Sequence, residues 1–200
     1  VVGAPGEGSG AVYLFAGPLA STTPSLSTLD ARLVLRGENG SGFGRALCLG
    51  DVDRDGYLDL LVSTDGPLGQ AFLYLGGPEG LATSPVLQLT SPSSGDDFGA
   101  SLALGDLDGD GWPELVVGAP DALGPRAAGR PAERVGAVLI YRGQAELGGE
   151  GTLWLKLLGR EANARFGEAL ALGDLRGDAA ADLTVGAPAS NGGAGAVYLY

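Results

Sequence analysis

Three stretches of this chain align without a gap. They are 43–62 (FGRALCLGDVDRDGYLDLLV), 98–117 (FGASLALGDLDGDGWPELVV) and 166–185 (FGEALALGDLRGDAAADLTV). Each opens on Phe-Gly, runs through an alternating apolar stretch to Gly-Asp, and closes in an apolar run. The starts lie 55 and then 68 residues apart, a period in the range of propeller blades. A repeat of this size is one supersecondary unit, and its apolar faces are covered only by neighbouring copies.

A second element recurs at 10–15 (GAVYLF), 70–75 (QAFLYL), 136–141 (GAVLIY) and 195–200 (GAVYLY). Its alternation, β-branched residues and aromatics predict a strand. A weaker apolar stretch follows at 31–35, 86–89 and 152–157. No segment carries a helical period over ten residues. Four short antiparallel strands per repeat, here A to D, predict an all-β chain of propeller blades. The expected division is a partial blade at 1–37, whole blades at 38–90 and 91–159, and a partial blade at 160–200. The chain then reads as a single propeller region of about three and a half blades, a fragment of a longer propeller or a chain whose ring is completed by something else. Cys48 stands where the other repeats have Ala103 and Ala171, which predicts a small inert core residue rather than a reactive thiol.

Between strands A and B lies an acidic loop. The first reads Asp51, Asp53, Asp55, Gly56, Tyr57, Asp59 at positions 1, 3, 5, 6, 7 and 9; the second reads Asp106, Asp108, Asp110, Gly111, Trp112, Glu114. Calcium takes six to eight hard oxygen ligands in flexible geometry, whereas magnesium holds to a smaller octahedral shell with retained waters. Alternate carboxylates on a tight loop can converge on one cation, with the backbone oxygen of Tyr57 or Trp112 as a further ligand. Uncompensated, two carboxylates 4 Å apart repel by about 4 kcal/mol at an effective dielectric of about 20. About two calcium ions are therefore expected. An EF-hand is excluded, because position 12 is Val62 or Val117 and strands flank both loops. The third loop departs: among Asp174, Arg176, Asp178 and Asp182, Arg176 replaces a carboxylate, and Ala179 replaces the glycine. The expectation is that its guanidinium stands in for the cation and pairs with Asp174, Asp178 or Asp182. Arg176-Gly177-Asp178 is also an RGD tripeptide, whose register places Asp178 inside the loop.

The formal charge of −12, with one lysine, argues against nucleic acid as a partner. The lack of histidine removes imidazole bases, Ser-His-Asp triads and histidine zinc sites. No run of about 20 apolar residues is present to span a bilayer.

The Phe-Gly pairs at 43, 98 and 166, the acidic loops, and Gly3-Ala4-Pro5, Gly118-Ala119-Pro120 and Gly186-Ala187-Pro188 together resemble the FG-GAP repeat family. That family is found in the integrin α-subunit head and in bacterial surface proteins. The first full repeat has Ser63-Thr64-Asp65 at the third motif. The resemblance implies a seven-bladed propeller with calcium in the A–B loops of one face and ligands on the opposite face. It implies a non-catalytic extracellular or cell-surface module that recognises a protein or surface ligand, as in cell adhesion. The alternative is an accessory propeller beside the catalytic domain of a secreted, phospholipase-like hydrolase. An enzyme using the acidic pairs themselves is set aside, since the loops account for those residues as metal ligands. The absence of His and Met, the Ala, Gly and Leu richness and the single lysine point to a bacterial secreted or surface member.

The loop at 121–135 is the longest B–C connection. It carries Arg126, Arg130 and Arg134, a cationic patch for an acidic partner or a solvated insertion. Asn39-Gly40-Ser41 matches a glycosylation sequon and otherwise reads as a turn.

Overall fold

The computed structural model describes residues 1–17, 25–38, 40–126, 131–145 and 147–200. Fourteen strands form four antiparallel sheets among the described residues. The first sheet holds β1 (Val2–Ala4), β2 (Ala11–Leu14) and β3 (Leu33–Arg36). The second holds β4 (Leu47–Gly50), β5 (Asp59–Ser63), β6 (Gln70–Tyr74) and β7 (Leu87–Thr90). The third holds β8 (Leu102–Gly105), β9 (Glu114–Ala119), β10 (Ala137–Tyr141) and β11 (Leu153–Leu158). The fourth holds β12 (Ala169–Gly173), β13 (Asp182–Ala187) and β14 (Ala196–Leu199). Each sheet is a meander in chain order, so the two complete ones are the expected A–B–C–D blades. The strand-A elements β4, β8 and β12 lie side by side. Gly50 of β4 faces Leu104 of β8, and Gly105 of β8 faces Leu172 of β12. The four sheets form an arc of a β-propeller that does not close.

Alternation along the B strands builds the core. In β5, Leu60 and Val62 pack with Val12 and Leu35 of the first blade, while Leu61 packs with Leu115 and Val117 of the third. In β9, Val116 turns the other way, onto Leu183 and Val185 of the fourth. Every residue of β5 and β9 is buried, because both faces of these sheets are covered. The fourth blade shows the uncovered case: Val197 is 73% exposed, whereas its counterpart Val138 is fully buried.

The Phe-Gly motif is the joint between blades. Phe43 and Phe166 form parallel bridges with Gly10 and Gly136, which precede strand C of the blade before. Phe43 meets the rings of Phe72 and Tyr74 edge-on or tilted, with centroids 6.1 and 6.2 Å away. A Cβ on Gly10, Gly69 or Gly136 would come inside 3.0 Å of the backbone of Phe43, Phe98 or Phe166 respectively. This corrects the register read from sequence. The partner of Gly136 in the second blade is Gly69, so the repeat is GQAFLY and its strand stops at Tyr74 rather than 75. The D strands likewise begin one or two residues later than the apolar stretches suggest.

The departure at Ser63 has a physical account. Gly3 and Gly118 lie against the carbonyls of Gly44 and Gly167. Ser63 keeps the same place, and its hydroxyl donates to the Gly99 carbonyl at 2.7 Å. Cys48 is a free thiol, partly rather than fully buried, packed against Leu61 and its neighbours; burial pushes its pKa up, away from reactive thiolate chemistry.

Candidate metal centres

The acidic loops fold by using their own carboxylates as backbone caps. Position 1 accepts from the turn: Asp51 from the N–H groups of Asp55 and Gly56 at 3.1 and 3.0 Å, and Asp106 from Gly109 and Gly111 at 2.8 Å each. Position 3 accepts from position 5, Asp53 from Asp55 and Asp108 from Asp110, both at 3.2 Å. Position 5 accepts from position 7, Asp55 from Tyr57 at 2.9 Å and Asp110 from Trp112 at 2.8 Å. These Asx-type turns explain why Asp recurs at every second position.

Position 9 belongs to strand B and is fully buried in both loops. Asp59 accepts from Val52 N and Gly76 N, each at 2.7 Å. Glu114 accepts from Leu107 N at 2.7 Å and Gly143 N at 3.3 Å. It thereby clasps the A–B loop to the C–D turn of the same blade. Sequence reasoning named these two residues for their charge and missed the clasp, whose second partner lies 17 or 29 residues away. Burial, reinforced by the carboxylates at positions 3 and 5, pushes the pKa of Asp59 and Glu114 up.

Ligand oxygens of Asp51, Asp53 and Asp59 lie within 4.8 Å of one another, as do those of Asp106, Asp108 and Glu114. Asp55 and Asp110 are outside these groups and serve the turn. Three converging carboxylates, one of them buried, form a hard-oxygen donor set that fits a divalent cation. The third loop provides an internal comparison. Asp174 again caps the turn, and the Ala179 N–H foremost holds its pKa below the usual range. Asp182 again accepts from position 2, Leu175 N, at 2.8 Å. Its other oxygen takes Arg176 Nε at 2.7 Å, and Arg176 also reaches Asp178 at 3.4 Å. Ala179 keeps the left-handed backbone of the glycine it replaces, φ 72° against 88° and 92° at Gly56 and Gly111.

Two further basic residues reach the loops and were not singled out from the sequence. Arg54 of the first loop lies over the ring of Trp112 of the second, 5.4 Å from its centroid. Arg142, at the end of β10, donates to Asp108 at 3.0 Å and lies 4.7 Å over Trp154. Among the described residues no basic side chain pairs with Asp51, Asp53 or Asp55.

At the opposite ends of the B strands, ion pairs run across three blades. Arg45 pairs with Asp65 and Asp97, Arg165 with Asp97 and Asp121, and Arg134 with Asp121. Arg134 also donates to the Gly95 carbonyl. Of the three loop arginines proposed as a cationic patch, Arg134 is thus engaged within the protein, Arg126 is exposed and Arg130 lies outside the described residues. Leu123 bridges Arg134, which turns this connection into a short stem. Asn39 also lies outside the described residues. No helix among the described residues is long and apolar enough to cross a membrane.

Comparison with known proteins agrees with this architecture. The family model described as FG-GAP-like repeat matches residues 51–117, and that described as FG-GAP repeat matches 98–141 and 166–200. Between them they span more than half of the chain. Integrin alpha-IIb of Mus musculus is 42% identical over 120 residues, 55% of this chain and 11% of that protein. Integrin alpha-7 of Homo sapiens is 41% identical over 119 residues, 58% of this chain and 9% of that protein. Phosphatidylinositol-glycan-specific phospholipase D of Homo sapiens is 28% identical over 166 residues, 75% of this chain and 19% of that protein. The chain spans only a tenth to a fifth of the length of these relatives. Its Phe-Gly joints, its acidic loops and these matches make it a member of the FG-GAP repeat family, with a propeller related to that of integrin alpha chains.

Proposed function

We propose that the chain is a calcium-stabilised, non-catalytic recognition module of an extracellular or cell-surface protein, with a protein or surface ligand as its partner. Asp51, Asp53, Asp59 and the Tyr57 carbonyl hold one ion, and Asp106, Asp108, Glu114 and the Trp112 carbonyl hold a second. Asp55 and Asp110 shape the turns and complete the acidic sets. Calcium supplies the positive charge that lets these carboxylates stay ionised side by side.

One contrast carries this reading. In all three loops a buried position-9 carboxylate clasps the loop; in the third a guanidinium sits on that carboxylate, while in the first two it faces other carboxylates. Arg176 supplies a positive charge inside the third loop and makes it independent of metal, whereas the converging carboxylates of the first two leave that role to a cation. The recognition role is supported by the similarity to integrin alpha chains. The similarity to the phospholipase D favours a second reading, an accessory propeller beside a catalytic domain. Both readings keep the calcium sites and place no catalysis in these blades.

Isothermal titration of the calcium-stripped protein tests the assignment. The native chain binds calcium, Asp53→Asn removes one site, Asp108→Asn the other, and Asp178→Asn leaves both. Equal binding by all four proteins would overturn the assignment.

A further inference from the structure

The guanidinium groups at the acidic loops form a series. Among the described residues the first loop has none on its carboxylates, the second has one on the candidate ligand Asp108, and the third has one on the buried Asp182. The second case is supplied from outside the loop. Arg142 lies 34 residues beyond Asp108 and reaches its Oδ2, the oxygen not used to cap the Asp110 N–H. The arginine is also held in place. Its N–H donates to the Thr152 carbonyl at 2.9 Å, and its guanidinium stacks on Trp154. Trp154 is the extra residue of a β-bulge, since Ile140 pairs with Leu155 but Tyr141 pairs with Leu153. Bulges re-aim side chains, and here the bulged residue is the one beneath Arg142. In the second blade, where Tyr74 matches Tyr141, the following residue is Leu75, so the first loop has no such arginine.

We propose that Arg142 is a built-in competitor for the second metal centre. It neutralises Asp108 when the loop is empty, and calcium must displace it to gain that oxygen. This rests on the calcium reading above. The two centres then differ in affinity: the first fills at lower calcium and the second at higher, with Arg142 remaining on the Trp154 ring after release. Cation–π contact with Trp gives the displaced guanidinium a defined place to rest. The surface at Arg142 and Trp154 therefore gains a free positive charge when the second centre loads.

The test isolates the second loop by carrying Asp51→Asn and Asp53→Asn in every protein, and titrates calcium with and without Arg142→Gln. Terbium(III) serves as a second probe, with tryptophan-selective excitation reporting the loop that contains Trp112. Loss of the competitor should tighten binding by about fivefold, which corresponds to roughly 1 kcal/mol, the scale of a partly exposed ion pair. The melting midpoint without metal should stay flat or fall slightly. Unchanged or weaker affinity in Arg142→Gln, with the midpoint lowered equally with and without calcium, would mean that the arginine is merely structural and overturns the proposal. If the protein with an intact first loop also binds no calcium, the calcium reading itself fails, and this inference falls with it.

Discussion

The joints between blades predict a graded response to adding a single methyl group. At Gly69 the backbone is ordinary, but a Cβ would come inside 3.0 Å of the Phe98 carbonyl and 2.9 Å from the Phe98 Cβ. Neither group can move without shifting the next blade, so Gly69→Ala is overpacking, worth about 2 kcal/mol. At Gly136 the same collision occurs with Phe166, and φ is +79°. The left-handed backbone adds about 1 kcal/mol, giving about 3 kcal/mol in all. Gly149 supplies the control, with φ +73° and nothing within 4 Å of its Cβ, so only the backbone penalty of about 1 kcal/mol remains. For a chain of 200 residues each 1 kcal/mol lowers the melting midpoint by about 3 °C. Thermal unfolding followed by circular dichroism in constant calcium should show drops of about 3 °C for Gly149→Ala, 6 °C for Gly69→Ala and 9 °C for Gly136→Ala. Gly69→Ala with a native midpoint, or three equal drops, would refute the claim that these glycines are where one blade seats on the next.

Other expectations concern the loops. Ala179→Gly relieves a left-handed alanine and should raise the midpoint by about 3 °C, or about 1 kcal/mol; no change in a melting curve would remove the strain argument. Combining it with Arg176→Asp restores the pattern of the first loop, and calorimetry should then record one additional calcium ion. Asp59 and Glu114 bind protons more tightly in the folded chain than in the unfolded one. In calcium-stripped protein their contribution is therefore least favourable at neutral pH and grows as pH falls through their raised pKa towards the ordinary carboxylate range. With calcium bound the sign reverses, because protons must displace the ion. Denaturant midpoints measured against pH with and without calcium should converge on acidification, and parallel curves would count against both carboxyls as ligands.

Much of the architecture is legible in the chain itself, because the determinants are local and repeated. Phe-Gly, the alternating apolar strand and the acidic turn each fall within a few residues, and three copies in fixed order specify a blade. The register of the second blade was less legible. Gly69 and Gln70 both precede an alternating stretch, and only the collision with Phe98 distinguishes them. The acidic loops could be named from spacing, but the roles of their members could not. Asp55 and Asp110 turn to the backbone, while Asp59 and Glu114 reach across to Gly76 and Gly143. Arg142, Arg45 and Arg165 were illegible for a stronger reason. Each has a partner 34 or more residues away, and a bulge at Trp154 has no sequence signature beyond one aromatic in a leucine-rich strand.

The most direct test of the central claim is thermal unfolding of the EGTA-stripped protein against added calcium, with magnesium as the comparison. A site with a dissociation constant of about 0.1 mM contributes about 1.4 kcal/mol at 1 mM calcium. Two such sites should raise the midpoint by about 8 °C. That rise is expected with calcium, and a much smaller one with magnesium. A midpoint indifferent to calcium up to several millimolar, well beyond the range of about 1 mM for extracellular calcium modules, would contradict it.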